Sequence, residues 1–213
     1  MNIIVKGEKD SRELADYANE IACELELFFG FVPDLIELNV IFSRDEFNNL
    51  IGYKTPEWFV ANTVDNVVCI LSQAIIDREN PGRFGIILKH ELVHVFISEI
   101  NNKPIVWLDE GLALCLAGQT KRNWIKQGNY SFFFENNNLF KKVSYKDFCE
   151  HEGYVLSYNL VKNILDCWDN SKIIELLKVD GMKDNFFYKM VNILGLKNER
   201  DLLLILKKGL NVG

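Results

Sequence analysis

The segment from Asn80 to Ile100 constrains the fold more than any other part of the chain. Asn80 followed by Pro81 fits a helix start, with a capping side chain and then a proline in the first turn. Apolar side chains then occur nearly all round the helix, at Ile86, Ile87, Leu88, Leu92, Val93, Val95, Phe96, Ile97 and Ile100. A helix of this kind is typically enclosed by other elements. The sequence therefore predicts a central helix that ends near Ile100.

This central helix carries the motif His90-Glu91-Leu92-Val93-His94. Residues four apart differ by about 40° around a helix axis and lie one turn apart, so both imidazoles can reach one ion. Zinc binds imidazole nitrogen at about 2.0–2.1 Å and prefers four tetrahedral ligands, so the pair supplies half a site. Glu91 lies beside such an ion but is poorly placed to bind it. That is the position of a general base acting on a water ligand.

The use of histidine supports a metal site over a purely structural role. The chain has three histidines, and two of them, His90 and His94, fall at ligand spacing. On an enclosed helix, two histidines and a glutamate without partners would carry a large desolvation cost. The alternative is a pair of core histidines satisfied by hydrogen bonds, with Glu91 in a salt bridge. The third histidine, His151, either lies at the surface or faces the same cleft.

A third ligand is expected from the segment Trp107-Leu108-Asp109-Glu110-Gly111-Leu112-Ala113, in which Glu110 follows His94 by sixteen residues. The segment begins a predicted helix that a short connection could fold back antiparallel to the first. A carboxylate one turn into that helix would meet the two imidazoles. Two histidines and one glutamate leave the fourth position to water, which is typical of a catalytic zinc site.

These two segments resemble the gluzincin metallopeptidases, the clan that holds thermolysin and the zinc aminopeptidases. The resemblance implies an α+β, zincin-like fold in one catalytic module. Residues 1–101 would form an upper α/β subdomain with a small sheet and the zinc-binding helix, and residues 102–213 a helical lower subdomain with the third ligand. It also implies Zn²⁺ as cofactor, with His90, His94 and Glu110 as ligands and Glu91 as base.

Two further residues have both a functional and a structural interpretation. Tyr154 matches the family position at which a tyrosine stabilises the oxyanion, and the alternative is that Tyr154 and Tyr158 simply pack. Asp109 either orients a ligand from the outer shell or lies exposed at the helix N-terminus. Trp107, beside it, is expected to be a core anchor.

The functional hypothesis is a zinc-dependent peptidase acting on a peptide or protein substrate. An extended peptide would pair with an edge strand of the upper sheet, formed by the Trp58 to Leu71 hairpin. The Gly-x-Met-Glu-Asn segment by which aminopeptidases hold a free N-terminus is absent, which favours an endopeptidase. Two alternatives remain: a gluzincin-like peptide-binding or regulatory module that does not cleave, and a metal-free helical interaction protein.

Elsewhere, periodicity and capping signals predict a mixed first half and a helical second half. The first half is expected to contain a helix from Ser11 to Phe29, a strand from Leu35 to Phe42, a helix capped by Ser43 and closed by Gly52, and a hairpin of Trp58–Asn62 and Val67–Leu71. The second is expected to contain helices at about Leu108–Ala117, Ser144–Glu150, Gly153–Trp168, Asn170–Lys178, Lys183–Leu194 and Glu199–Lys208. The polar, aromatic segment from Gly118 to Val143 is expected to be a loop near the site.

Composition excludes several classes of protein. The 213 residues are 48% hydrophobic and 25% charged, which is typical of a globular chain. Lys and Arg number 24 against 30 Asp and Glu, so a net charge of −6 disfavours nucleic-acid binding. No apolar run is long enough to span a bilayer, and the N-terminus lacks a signal-peptide core, so a cytoplasmic protein without a membrane partner is expected. The five dispersed cysteines fit reduced core thiols.

Overall fold

The computed structural model describes residues 1–7, 11–119, 130–134, 143, 145–180, 186–208 and 210. Within these residues the chain forms one four-stranded sheet and eleven helices, so the predicted α+β class with a small sheet is confirmed. The chain divides into two compact units, Met1–Glu99 and Ile100–Gly213.

The first unit contains the whole described sheet. Its elements are β1 (Asn2–Lys6), α1 (Ser11–Phe29), β2 (Leu35–Ile41), α2 (Arg44–Ile51), β3 (Ala61–Val64), β4 (Val67–Leu71), α3 (Gln73–Glu79) and α4 (Phe84–Ile100). The strand order is β1-β2-β4-β3, in which β1, β2 and β4 are parallel and β3 is antiparallel at one edge. Strand β1 and helix α3 are not among the elements predicted from the sequence.

Alternating burial in the two central strands gives this sheet an apolar face. Ile36, Leu38 and Val40 of β2 are buried. So are Val68 and Ile70 of β4, while Val67 and Cys69 between and before them are only half-buried. The period of two is what a strand with one covered face requires.

Helix α4 packs against α1 through both apolar and charged contacts. The ring centroids of Phe96 and Phe29 are 5.0 Å apart. Nearer the start of α4, the Lys89 ammonium lies 2.7 Å from the Glu24 carboxylate. Glu24 is largely exposed, so the apolar contact carries more of the packing energy than the ion pair does.

The predicted start of the central helix at Asn80 and Pro81 is wrong. The helix begins at Phe84, and Asn80 instead caps the C-terminus of α3, where its N–H donates to the Ile76 carbonyl at 2.7 Å. Proline is common both shortly after a helix end and in a first turn, so the pair Asn80-Pro81 fits both.

The other local signals in the first unit are largely confirmed. The Ser43 hydroxyl accepts from the Glu46 N–H at 3.1 Å, and Gly52 ends α2 at a φ of 88°. The hairpin forms, but its first strand begins at Ala61 and leaves Trp58 outside. The reason is Arg44, whose guanidinium donates to the carbonyl oxygens of Glu57 and Phe59 and holds that stretch as a loop.

The described elements of the second unit are all helices, which agrees with the predicted helical second half. Its helices are α5 (Val106–Leu116), α6 (Ser131–Phe134), α7 (Tyr145–Glu150), α8 (Gly153–Leu165), α9 (Asn170–Leu177), α10 (Phe186–Ile193) and α11 (Glu199–Leu206). The predicted helix starts at Ser144 and Lys183 lie outside the described residues. So does most of the Gly118 to Val143 segment. Its described part contains the short helix α6, so the prediction of a loop throughout this segment is wrong there.

Two side chains in this unit tie helix ends together. The Asn101 amide donates to the carbonyl oxygens of Leu177 and Val179 at the end of α9. The Asn163 amide of α8 reaches the last carbonyls of α11, including that of Leu206 at 3.3 Å. Both contacts satisfy carbonyls that a helix terminus leaves without intrahelical partners.

Among the described residues, no helix has both the length and the apolar character needed to cross a bilayer. The cysteines only partly fit the expected core thiols, because Cys23 and Cys167 are exposed.

Candidate metal centre

The motif on the central helix α4 is largely buried, as predicted for an enclosed helix. Leu92, Val93, Val95 and Phe96 are completely buried. His90 is 9% exposed and Glu91 is 8% exposed. His94 is half-buried. The polar groups of the motif therefore lie in surroundings where an ion or a hydrogen-bond partner has a large energetic effect.

The two histidines lie side by side on one face of α4. Their Nε2 atoms are 3.1 Å apart, and the ring planes make an angle of 76°. Two nitrogens that each lie about 2.05 Å from a tetrahedral ion are about 3.3 Å apart. The observed spacing fits two ligands of one such ion. In the absence of an ion, one Nε2–H can donate to the other Nε2, depending on the tautomers.

Glu91 accepts a hydrogen bond from a residue outside the predicted site. The Thr63 hydroxyl of β3 lies 2.6 Å from the Glu91 Oε2 atom and 3.3 Å from the Glu91 carbonyl oxygen. The hydroxyl has one hydrogen, so the shorter contact is the hydrogen bond to the carboxylate. Glu91 Oε2 accepts from the strand side.

The register of the hairpin explains why Thr63 faces the helix. Thr63 pairs with Val68, and residues directly opposite each other in an antiparallel pair share a face of the sheet. Val68 is fully buried, whereas Val64, the next residue of β3, is 63% exposed. Further along, the Ser98 hydroxyl oxygen of α4 lies 3.0 Å from the carbonyl oxygen of Asp65 in the hairpin turn. The edge hairpin therefore runs alongside α4.

The charge of Glu91 affects the pKa of one nearby cysteine thiol, that of Cys69. Burial raises the pKa of the Cys69 thiol, and the charges of Glu37 and Glu91 act in the same direction, while a hydrogen bond from Asn39 opposes them. A raised pKa keeps this thiol neutral near pH 7.

Glu110 and its neighbours belong to the second unit. Glu110 and Asp109 are half-buried in the first half of α5, and Trp107 is 3% exposed, as expected of a core anchor. Gly111 follows Glu110 at a position where α5 and α8 lie close together. A Cβ at this position would collide with the Ser157 carbonyl oxygen and the Val161 side chain. Glycine here is therefore a requirement of packing in the segment that carries Glu110.

Tyr154 and His151 also lie in the second unit. Tyr154 is in the first turn of α8, and its ring meets that of Phe148 edge-on, with centroids 5.2 Å apart. The imidazole of His151 stacks on the ring of Phe132 at 4.0 Å. Both rings thus have packing partners, and the role of the Tyr154 hydroxyl stays a prediction.

Thr63 could not have been identified from local sequence. A threonine in a predicted strand signals only β propensity, and the residue contacts a side chain that lies 28 positions later.

Comparison with protein-family models, curated proteins and solved structures finds no match to this chain.

Proposed function

We propose that this chain is a zinc-dependent endopeptidase of the gluzincin type, with a zincin-like fold. The observation that carries the proposal is the pair of His90 and His94, whose Nε2 atoms lie 3.1 Å apart on a buried helix. The adjoining Glu91 supplies a carboxylate that is already oriented by a hydrogen bond. A purely structural zinc site would not need the Glu91 carboxylate, because Glu91 is not a ligand.

Zinc is proposed because of the chemistry of the donor groups. His90 and His94 offer two imidazole nitrogens, and we propose the Glu110 carboxylate as the third ligand. Two imidazoles and one carboxylate are the ligands of several catalytic zinc sites, which keep a fourth position for water. A bound zinc ion would supply Lewis acidity towards a water molecule and towards a peptide carbonyl.

In this proposal, the protein's own residues move the protons. Glu91 accepts a proton from the attacking water while the water oxygen bonds to the carbonyl carbon. Glu91 then passes that proton to the amine nitrogen as the carbon–nitrogen bond breaks. The Tyr154 hydroxyl donates a hydrogen bond to the carbonyl oxygen as that oxygen gains negative charge.

The proposed substrate is a peptide or an extended segment of a protein. Strand β3 is one of the two edge strands of the described sheet, and its hairpin runs beside α4. A peptide that adds to this edge would gain main-chain hydrogen bonds next to Glu91. We also place the activity in the cytoplasm, because five dispersed cysteines suit a reducing compartment.

The test compares Glu91→Gln with Glu99→Gln, an exposed glutamate on the same helix. Both variants and the wild type are loaded with zinc and incubated with a mixed peptide library, with and without a chelator. We expect chelator-sensitive cleavage by the wild type and by Glu99→Gln. Glu91→Gln should retain zinc and lose cleavage.

Two results would contradict the proposal. Unchanged cleavage by Glu91→Gln would remove Glu91 as the base. Peptide binding without products by the zinc-loaded wild type would favour a binding module over an enzyme.

A further inference from the structure

We infer that Thr63 is a positioning residue for the base: its hydroxyl holds the Glu91 carboxylate in its working orientation. The inference rests on the proposed function, since it assigns Glu91 the part of general base. It adds a residue from outside the motif, 28 positions earlier in the chain.

The geometry of the contact supports this role. At 2.6 Å, the separation between Thr63 Oγ1 and Glu91 Oε2 is typical of a hydroxyl that donates to an ionised carboxylate. Glu91 is only 8% exposed, so little water is available to replace this donor. A carboxylate has two oxygens, and engagement of Oε2 from the strand side leaves Oε1 to accept a proton.

Threonine suits this position for a reason beyond its hydroxyl. Its branched Cβ restricts χ1, so a strand residue of this type presents its oxygen in a fixed direction. The position faces the buried side of the sheet opposite Val68, where packing alone would be met by valine. A hydroxyl here serves the carboxylate, because it offers a donor to a buried acceptor.

The strand that carries Thr63 gives the contact a second consequence. Strand β3 is the described sheet's antiparallel edge, which is the strand proposed to pair with substrate. A peptide aligned on β3 would then be aligned on the element that also orients the base. Proton transfer depends steeply on such alignment.

The first experiment compares Thr63→Val, which keeps the shape and removes the hydroxyl, with Thr63→Ser, which keeps the hydroxyl. With zinc-loaded protein and a fluorogenic peptide taken from the library hits, we expect Thr63→Val to lower kcat by about tenfold or more at nearly unchanged KM. Thr63→Ser should restore most of kcat. Zinc content should be the same in all three proteins.

The second experiment needs neither zinc nor substrate. Urea unfolding of the metal-free protein is measured for wild type, Thr63→Val, Glu91→Ala and the double variant. We expect Thr63→Val to lower the unfolding midpoint in the wild type and to lower it much less when Glu91 is already alanine. Equal shifts in the two backgrounds would show that Thr63 acts by packing alone and would overturn the inference.

The two experiments separate the possible failures. If the wild type shows no chelator-sensitive cleavage, the proposed function falls and the positioning role falls with it, whatever the unfolding data show. If the wild type cleaves and Thr63→Val has an unchanged kcat, the proposed function stands and the positioning role is overturned.

Discussion

The Nε2 atoms of His90 and His94 lie 3.1 Å apart on successive turns of α4. This separation is close to the distance between two ligands of one tetrahedral ion. Both nitrogens could therefore bind the same ion from a single helix.

The first prediction concerns metal binding. We expect the wild type to bind about one zinc ion per chain and His94→Ala to lose it, because a catalytic-type site has only three protein ligands. Binding should weaken at acidic pH, since imidazole binds metal only when neutral. Elemental analysis after dialysis measures both effects. His151→Ala is the matched control, and loss of zinc from that variant would contradict the assignment.

The second prediction distinguishes two adjacent acidic residues. Glu110→Gln should lose stoichiometric zinc, because an amide is a far weaker ligand than a carboxylate. Asp109→Asn should retain the metal. If Asp109 orients a ligand, the zinc affinity of Asp109→Asn should be about 10–100-fold lower than that of the wild type. If Asp109 is only a surface charge, the zinc affinity should not change. Competition with a zinc-binding dye measures each case, and a zinc-replete Glu110→Gln protein would remove Glu110 as the third ligand.

The third prediction separates the two interpretations of Tyr154. Tyr154→Phe keeps the ring that packs against Phe148 and removes only the hydroxyl. If that hydroxyl stabilises the reacting carbonyl oxygen, kcat should fall by about 100–1000-fold with little change in thermal stability. Tyr158→Phe, one turn later in α8, is the control and should keep its activity. Full activity of Tyr154→Phe would leave the residue with a packing role alone.

The fourth prediction concerns the helix contact next to Glu110. Gly111→Ala should destabilise the protein by about 1–3 kcal/mol, because the new Cβ would overlap the Ser157 carbonyl oxygen and the Val161 side chain. In urea unfolding, the cost of Gly111→Ala should be smaller in a Val161→Ala background than in the wild type. It should not vanish, because the backbone carbonyl of Ser157 remains. A neutral Gly111→Ala would show that α5 and α8 can move apart freely.

The fifth prediction concerns alkaline pH. Burial raises the pKa of the Cys115 thiol from 9.0 to about 12. Above pH 9 the unfolded chain releases this proton and the folded chain does not. The stabilisation is therefore fully present below pH 9 and is lost as the pH rises towards 12.

This alkaline effect can be measured by urea unfolding of Cys115→Ser as a function of pH. The wild type should lose about 1.4 kcal/mol more per pH unit than the variant does between pH 9 and 11. Below pH 8 the two proteins should differ only by a constant. Parallel curves over the whole range would show that Cys115 ionises alike in both states.

Features set by neighbouring residues could be read from the chain. The common face of His90 and His94 follows from 3.6 residues per turn. The cap by Ser43 and the left-handed turn at Gly52 follow from contacts across three or four positions. The sequence also predicts that α4 is buried, because apolar side chains occur nearly all round this helix.

Features that join distant segments required the folded structure. Strand β1 is not predicted from the sequence, because a five-residue segment shows little strand pattern by itself. It is stabilised by hydrogen bonds to β2, some 30 positions later. Asn80 and Pro81 fit a helix start and a helix end equally well, and only the placement of α3 and α4 decides between them.

The candidate site contains both kinds of feature, local ones set within a helix and one that joins distant segments. A helical repeat places His90, Glu91 and His94 together, since each position is fixed by hydrogen bonds within the same turn or the next. The partner of Glu91 is fixed by strand pairing, because Thr63 faces α4 only through its register with Val68. Chain connectivity therefore supplies the pair of imidazoles, whereas the hydroxyl that orients the carboxylate exists only once the edge hairpin has folded alongside the helix.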